Sequence, residues 1–248
     1  VEQTIQCSEL VLVEDGPLTE NLYSIIESYR HRLDINSVKL DKNCGLATAL
    51  NRGLLQVKNN IVFRADSDDI NRPYRFEKQL QKFKDGYELV GGMIRELDDE
   101  GRQVGFRIVP QTKCDILKFA KNRNPFNHMS VAFLKDTVLS IGGYPNIYLK
   151  EDYALWASLL TRDVNSVNIG EILVDVSAGK DMYKRRGGRG YIRSEYKMQL
   201  HLINCGLKTK FEAVIFGVSR IFVFLLPSRI RGYIYEKYLR NSDLEFTR

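Results

Sequence analysis

The chain is short of the patterns that mark stapled, zinc-bound or membrane-spanning proteins. Its four cysteines, Cys7, Cys44, Cys114 and Cys205, lie far apart, with no pair at C-x-x-C spacing. That suggests neither a zinc knuckle nor a disulfide framework and fits a reducing cytosol. No uninterrupted apolar run reaches the roughly 20 residues that a membrane-spanning helix needs, and no signal peptide is expected. Internal repeats, low-complexity tracts and long linkers are missing too, which excludes disordered and fibrous classes and leaves one domain with an appendage.

What is present supports a folded α/β domain. The 248 residues are 44% hydrophobic and 10% aromatic, enough to bury a core. The net charge of +6 is unevenly spread. Residues 180–240 carry 14 Lys or Arg against 4 Asp or Glu, whereas residues 1–179 carry 22 against 25. Such asymmetry points to an anionic partner at the C-terminal end: phosphate, nucleic acid or an acidic membrane surface.

Apolar runs alternate with amphipathic stretches and predict strands at 9–13, 35–40, 60–65 and 87–94, with helices at 19–32, 45–58 and 72–84. Repeated β-α units of this kind predict a Rossmann-like, mostly parallel, doubly wound sheet flanked by helices. Ligands of such sheets bind beyond the carboxyl ends of the strands. The segment Val1 to Ile5 reads as the tail of a helix, so an earlier strand and most of its helix, on the order of 30 residues, are expected upstream.

After residue 94 come a hairpin turn at Asp98-Asp99-Glu100-Gly101, a helix at 112–122, a strand at 130–133 and a helix at 151–161 that opens with Glu151-Asp152. The domain is expected to span residues 1–206. Residues 207–248 then form a helical basic extension, apolar at 213–226 and interleaving Arg and Lys with Tyr and Ile from Arg229 to Arg240. That pattern suits a membrane headgroup layer or a helix packed on the domain with a solvated basic face.

The most informative stretch is Asp66-Ser67-Asp68-Asp69, directly after the apolar run Ile61-Val62-Phe63. Carboxylates at a strand's end hold a divalent cation through hard oxygen ligands and leave positions open for a substrate diphosphate. The same acids also suit the N-terminus of a following helix. Aspartates spaced by two point to one side of an extended chain, so Asp66 and Asp68 can converge on one ligand.

Four features in order resemble one family: Val13-Glu14-Asp15-Gly16; Asn43-Cys44-Gly45-Leu46-Ala47 leading to Asn51-Arg52-Gly53; Arg64-Ala65-Asp66-Ser67-Asp68-Asp69; and Lys150-Glu151-Asp152-Tyr153. The chain resembles the inverting nucleotide-sugar glycosyltransferases with the GT-A fold, family two, over residues 9–160. Within them it is similar to bacterial O-antigen and exopolysaccharide enzymes of the amylovoran-biosynthesis type.

The resemblance implies a donor pocket of Asp15, Asn43, Gly45, Arg64, Asp66 and Asp68. Asp15 is expected at the nucleotide base, Asp66 at the ribose and Asp68 on Mn²⁺ or Mg²⁺, with Asp69 behind them. It further implies that Asp152 is the catalytic base and that Glu151 helps to hold the acceptor. His128, in Asn124-Pro125-Phe126-Asn127-His128, resembles an Asn- and His-bearing element of the polysaccharide-type relatives, and Lys184, Arg185 and Arg189 resemble a basic segment near the diphosphate, where Arg forks suit phosphate oxygens. Each has a plainer reading: a turn aspartate at Asp15, helix-terminal acids at 151–152, a structural histidine, a solvated loop.

The reaction so implied moves a sugar from a UDP donor, with galactose expected, to a polyprenyl-diphosphate-linked saccharide. The enzyme is expected in the bacterial cytoplasm, peripheral on the inner membrane, with no nucleic-acid partner. The rivals are a sugar-phosphate nucleotidyltransferase and a non-catalytic module that binds anionic surfaces through its basic end.

Overall fold

The computed structural model describes residues 1–177 and 189–225, with the side chains of the second stretch followed from Gly190 to Arg220. The chain opens as a β-α alternation: β1 (Leu10–Asp15), α1 (Glu20–Tyr29), β2 (Ile35–Leu40), α2 (Leu46–Gln56) and β3 (Ile61–Phe63). Thr19 caps α1 by accepting the Leu22 N–H. α2 starts from Gly45, whose φ of 86° lies in the left-handed region open to glycine. β1 and β2 pair in parallel, from Leu10 opposite Ile35 to Asp15 opposite Leu40. α2 lies close against β1 because Gly53 has no side chain; a Cβ there would meet Val13 Cγ2 at 2.7 Å.

There follow β4 (Ile70–Asn71), α3 (Arg75–Lys84), β5 (Leu89–Leu97), β6 (Gln103–Arg107), α4 (Lys113–Ala120), β7 (Ala132–Leu134), α5 (Lys135–Leu139), α6 (Glu151–Leu160), β8 (Ser166–Ser177), α7 (Arg189–Asn204) and α8 (Lys210–Leu225). A second sheet runs in the order β3-β7-β5-β8-β4, with β6 paired to β5.

The α/β class with a central sheet and flanking helices is as expected, but the ladder is mixed rather than mostly parallel. Among the described strands β1–β2 and β5–β8 are parallel, while β3–β7, β5–β7, β5–β6 and β4–β8 are antiparallel. A parallel neighbour needs a crossover of about a dozen residues or more. The Asp98–Gly101 turn is far too short for one, so β6 folds straight back on β5.

α6 is the spine of the larger core. Tyr153 to Ala157, Leu159 and Leu160 are all buried, and the Trp156 ring packs against Phe126, His128 and Tyr144 at centroid separations of 5.6, 6.0 and 6.3 Å. Burying side chains of this size is worth about 1.5–3 kcal/mol each. The residues at the N-terminus of α6 are therefore presented from a fixed element.

Val1 to Ile5 is irregular instead of helical. Thr4 N–H donates to Pro73 O at 2.8 Å, Gln3 Nε2 to Arg72 O at 2.8 Å, and Phe76 N–H to Gln3 Oε1 at 3.1 Å. Contacts some seventy residues along the chain, which local periodicity does not register, hold the segment on the start of α3. Of the expected basic extension, α8 is described; residues 226–248 lie outside the described residues. Among the described residues no helix is long and apolar enough to cross a membrane.

Candidate active site

The link between β3 and β4 carries the acidic run, and polar contacts from Arg75, Ser177 and Arg64 shape it. Arg75 lies under it, fully buried on α3, donating from Nη2 to Arg64 O at 2.7 Å and to Val131 O at 3.0 Å, and from Nε to Gln79 Oε1 at 2.9 Å. Burial first, and then the Arg64 charge, pull the Arg75 guanidinium down to about 9. From above, Ser177 at the end of β8 donates its Oγ–H to Asp68 O at 2.8 Å and its N–H to Asp69 Oδ1 at 3.2 Å. Arg64, itself buried, pairs through Nη1 with Asp66.

The result is a crowded anionic group. Asp66, Asp68 and Asp69 each present a carboxylate oxygen within 4.8 Å of the others. Asp69 is pushed up to about 6, chiefly by burial and further by the Asp66 and Asp68 charges, against the lowering effect of the Ser177 N–H. Its buried Oδ2 has no hydrogen-bond partner. Three hard oxygen donors, one of them orphaned, fit a divalent cation. Asp69, expected behind the site, is part of this group.

Asp15 closes a second corner. Its Oδ1 accepts the Cys44 N–H at 2.7 Å and its Oδ2 accepts the Gly45 N–H at 3.1 Å. It thereby draws the Asn43–Gly45 loop, just before α2, to the end of β1. Each carboxylate oxygen retains a further lone pair for a ligand. Asn51 takes no part in this corner: it pairs with the backbone of Tyr144, donating to O at 2.9 Å and accepting from N at 2.7 Å.

The third corner is the start of α6. Asp152 Oδ2 accepts from Asn124 Nδ2 at 2.6 Å, and Oδ1 accepts the Tyr153 N–H at 2.7 Å. Glu151 is buried beside it, and burial with the Asp152 charge raises its carboxyl above the usual range. His128 is also buried, with Nε2 3.2 Å from Tyr144 Oη. Burial, and then Arg64, hold its pKa well below the ordinary value, so it stays neutral.

Tyr144 lies within reach of the first and third corners. Burial raises its hydroxyl pKa, and the same hydroxyl feels Arg64, Asp152, Glu151 and Asp66. Arg64 pairs with Asp66, His128 touches the Tyr144 hydroxyl, and the charges of Arg64, Asp66, Glu151 and Asp152 all reach that hydroxyl. Tyr144, Asn124 and Ser177, which the sequence reading does not single out, contact members of these groups. The Asn124-Pro125-Phe126-Asn127-His128 run was a signal for Asn124, but it was read for its histidine. Lys184 and Arg185 lie outside the described residues; Arg189 opens α7, and its side chain also lies outside them.

Comparison with known proteins identifies the family. The family profile described as glycosyl transferase family 2 matches residues 1–140. A UDP-Gal:alpha-D-GlcNAc-diphosphoundecaprenol beta-1,3-galactosyltransferase of Escherichia coli is 42% identical over 96% of this chain and 88% of its own length. The amylovoran biosynthesis glycosyltransferase AmsE of Erwinia amylovora is 38% identical over 95% of this chain and 89% of its own. Among solved structures, S. aureus TarS 1-349 in complex with UDP superposes with a TM-score of 0.66 at 16% identity, covering 96% of this chain and 69% of that one. A likeness that distant speaks for the fold, which is GT-A. On the profile match and these relatives, the chain belongs to glycosyl transferase family 2 and is a glycosyltransferase.

Proposed function

We propose that this glycosyltransferase moves galactose from UDP-galactose to a hydroxyl of a saccharide linked to polyprenyl diphosphate, with inversion at the anomeric carbon. The observation that carries the reading is 42% identity along 96% of the chain to a galactosyltransferase whose named donor is UDP-Gal and whose named acceptor is GlcNAc-diphosphoundecaprenol. Family membership removes the support for the nucleotidyltransferase and the inert-module rivals.

Asp15, Asn43 and Gly45 receive the nucleotide at the end of β1, and Asp66 takes the ribose side with Arg64 holding its carboxylate in place. Asp68, with Asp66 and Asp69, would hold Mn²⁺ or Mg²⁺; such an ion, when bound, neutralises the diphosphate leaving group as a Lewis acid. Asp152 accepts the proton of the attacking hydroxyl. Asn124 and the Tyr153 N–H orient its two oxygens. As the new oxygen–C1 bond forms, the bond from C1 to the diphosphate oxygen breaks with its electron pair going to UDP.

Glu151 lines the acceptor side. His128 works from behind by fixing the Tyr144 hydroxyl, and the cationic groups of Lys184, Arg185 and Arg189 would serve the diphosphate. Phe211, Val214, Ile215 and Val218, exposed on α8, together with the basic residues beyond them, support a peripheral seat on the inner membrane.

The test is a panel of UDP-galactose, UDP-glucose, UDP-GlcNAc and GDP-mannose with a synthetic GlcNAc-diphospholipid, with and without chelator. Galactosyl transfer abolished by chelator is expected. Transfer from GDP-mannose alone, or turnover unaffected by chelator, would overturn the donor or the metal assignment.

A further inference from the structure

The residue before the acidic pair is a lysine at the wrong place for its own helix. Lys150 is the N-cap of α6, with φ −145° and ψ 14°, and makes no side-chain cap. Helix N-caps favour Ser, Thr, Asp, Asn or Gly, and a positive charge there opposes the helix dipole. The backbone just before it is strained as well. Leu149 has φ 56°, in the left-handed region that a leucine seldom enters. A local rule broken twice in succession, next to the acids that do the chemistry, calls for something that over-determines the geometry.

That something is α7. Ser194, almost fully buried, donates its Oγ–H to Tyr148 O. The next residue, Glu195, has no exposed surface and pairs with Lys150 Nζ at 2.8 Å. The Lys150 ammonium also lies 4.7 Å from the centre of the Tyr191 ring, one turn earlier on α7. Glu195 is fixed in turn by Gln199 Nε2 at 2.7 Å and by Arg220 Nη1 of α8 at 3.7 Å. Burial favours its neutral form, but Arg220 and Lys150 outweigh that and hold its carboxyl below the usual range, so the pair is ionic. A buried ion pair of this kind contributes little to stability against an apolar alternative, so specific geometry is the better account of it.

We propose that Glu195 is a positioning residue for sugar transfer: by pinning Lys150 while Ser194 pins Tyr148, it holds the strained Tyr148–Lys150 link and thereby sets where Asp152 and Glu151 stand. The inference rests on the catalytic reading of Asp152 given above and adds a helix outside the family-matched residues 1–140 to the machinery.

The experiment is Glu195→Gln, with Lys150→Met/Glu195→Gln beside it to avoid an uncompensated buried charge. Folding is followed by the fluorescence of Trp156, the single tryptophan. In Glu195→Gln, kcat is expected to fall about 10- to 100-fold, as misplacement of a reacting group by about 1 Å does, with KM for the UDP-sugar within about twofold. The acidic limb of kcat against pH should move down, because without the Glu195 charge the Lys150 ammonium favours the ionised form of Glu151. The double variant should melt like wild type and stay slow, since the Ser194 bond to Tyr148 alone does not fix position 150.

Wild-type kcat and pH profile in folded Glu195→Gln, or full recovery in the double variant, would overturn the proposal. If Glu195→Gln does not fold, the kcat of the double variant decides alone. A crystal structure of a folded variant reads the geometry without turnover. Leu149 is expected to leave φ 56° and the Asn124–Asp152 bond of 2.6 Å to lengthen. An unchanged link would sink the inference even if the wild-type chain moves no sugar, the outcome that would separately refute the catalytic reading.

Discussion

At the end of β3, three carboxylates crowd within 4.8 Å of one another; Asp66 is paired with Arg64, while Asp69 is left with an orphaned oxygen. At the start of α6, Asp152 has an amide on one oxygen and a backbone N–H on the other, and the helix beneath it is buried almost all round. Like charges held together without enough partners are costly and are relieved by a cation. A carboxylate with both oxygens held by donors suits a base that must meet one proton. On the proposed reading the two groups divide the work: the first takes a ligand, the second is already in position.

Substitutions should separate these roles. Asp152→Ala should lower kcat by about 10³- to 10⁴-fold with little change in donor KM, as removal of a general base does; steady-state kinetics with UDP-galactose check it. Asp68→Ala should lower kcat/KM by about 10²- to 10³-fold, the scale of several kcal/mol of charge stabilisation. It should also weaken Mn²⁺ binding in calorimetry, which Asp152→Ala should leave intact. If both variants lose metal binding equally, the division fails.

Asn124→Ala sharpens the comparison. It removes the hydrogen bond to Asp152 and leaves the metal group alone, so kcat should drop about tenfold, in line with about 1.5 kcal/mol for a charge-assisted bond, with Mn²⁺ affinity unchanged. The smallest effect is that of pH. Asp69 titrates at about 6 against an ordinary 3.8, and a cation takes its ionised form. Mn²⁺ affinity should therefore be roughly half its neutral value near pH 6 and fall by about tenfold per unit below. Without metal the sign reverses for stability. Because the folded state takes the proton first, Asp69 favours the fold as pH drops from about 6 toward 3.8.

Much of this could be read in the sequence because it is local. β2 occupies 35–40 as its apolar run predicted, and the acidic stretch follows β3 directly. What escaped depends on distant partners. β8 was not anticipated because its interior holds Asn168 and Asp175, polar residues that normally break a strand pattern. Asn168 Nδ2 reaches Pro110 O at 2.7 Å and Pro125 O at 3.0 Å, while Asp175 takes Arg72 at 3.0 Å and Arg95 at 2.8 Å. Asn124 and Glu195 act on α6 across 28 and 45 residues of chain, beyond any spacing rule. The mixed ladder escaped for a related reason: strand direction is set by the links, and the sheet was inferred from the first three β-α units alone.

The most direct measurement is a crystal structure of the enzyme grown with MnCl₂ and UDP, read by manganese anomalous scattering. The account predicts one manganese peak among the carboxylates of Asp66, Asp68 and Asp69, with the UDP diphosphate on it and Asp152 facing the vacated sugar position. Manganese or nucleotide bound elsewhere, with those three aspartates bare, would contradict it.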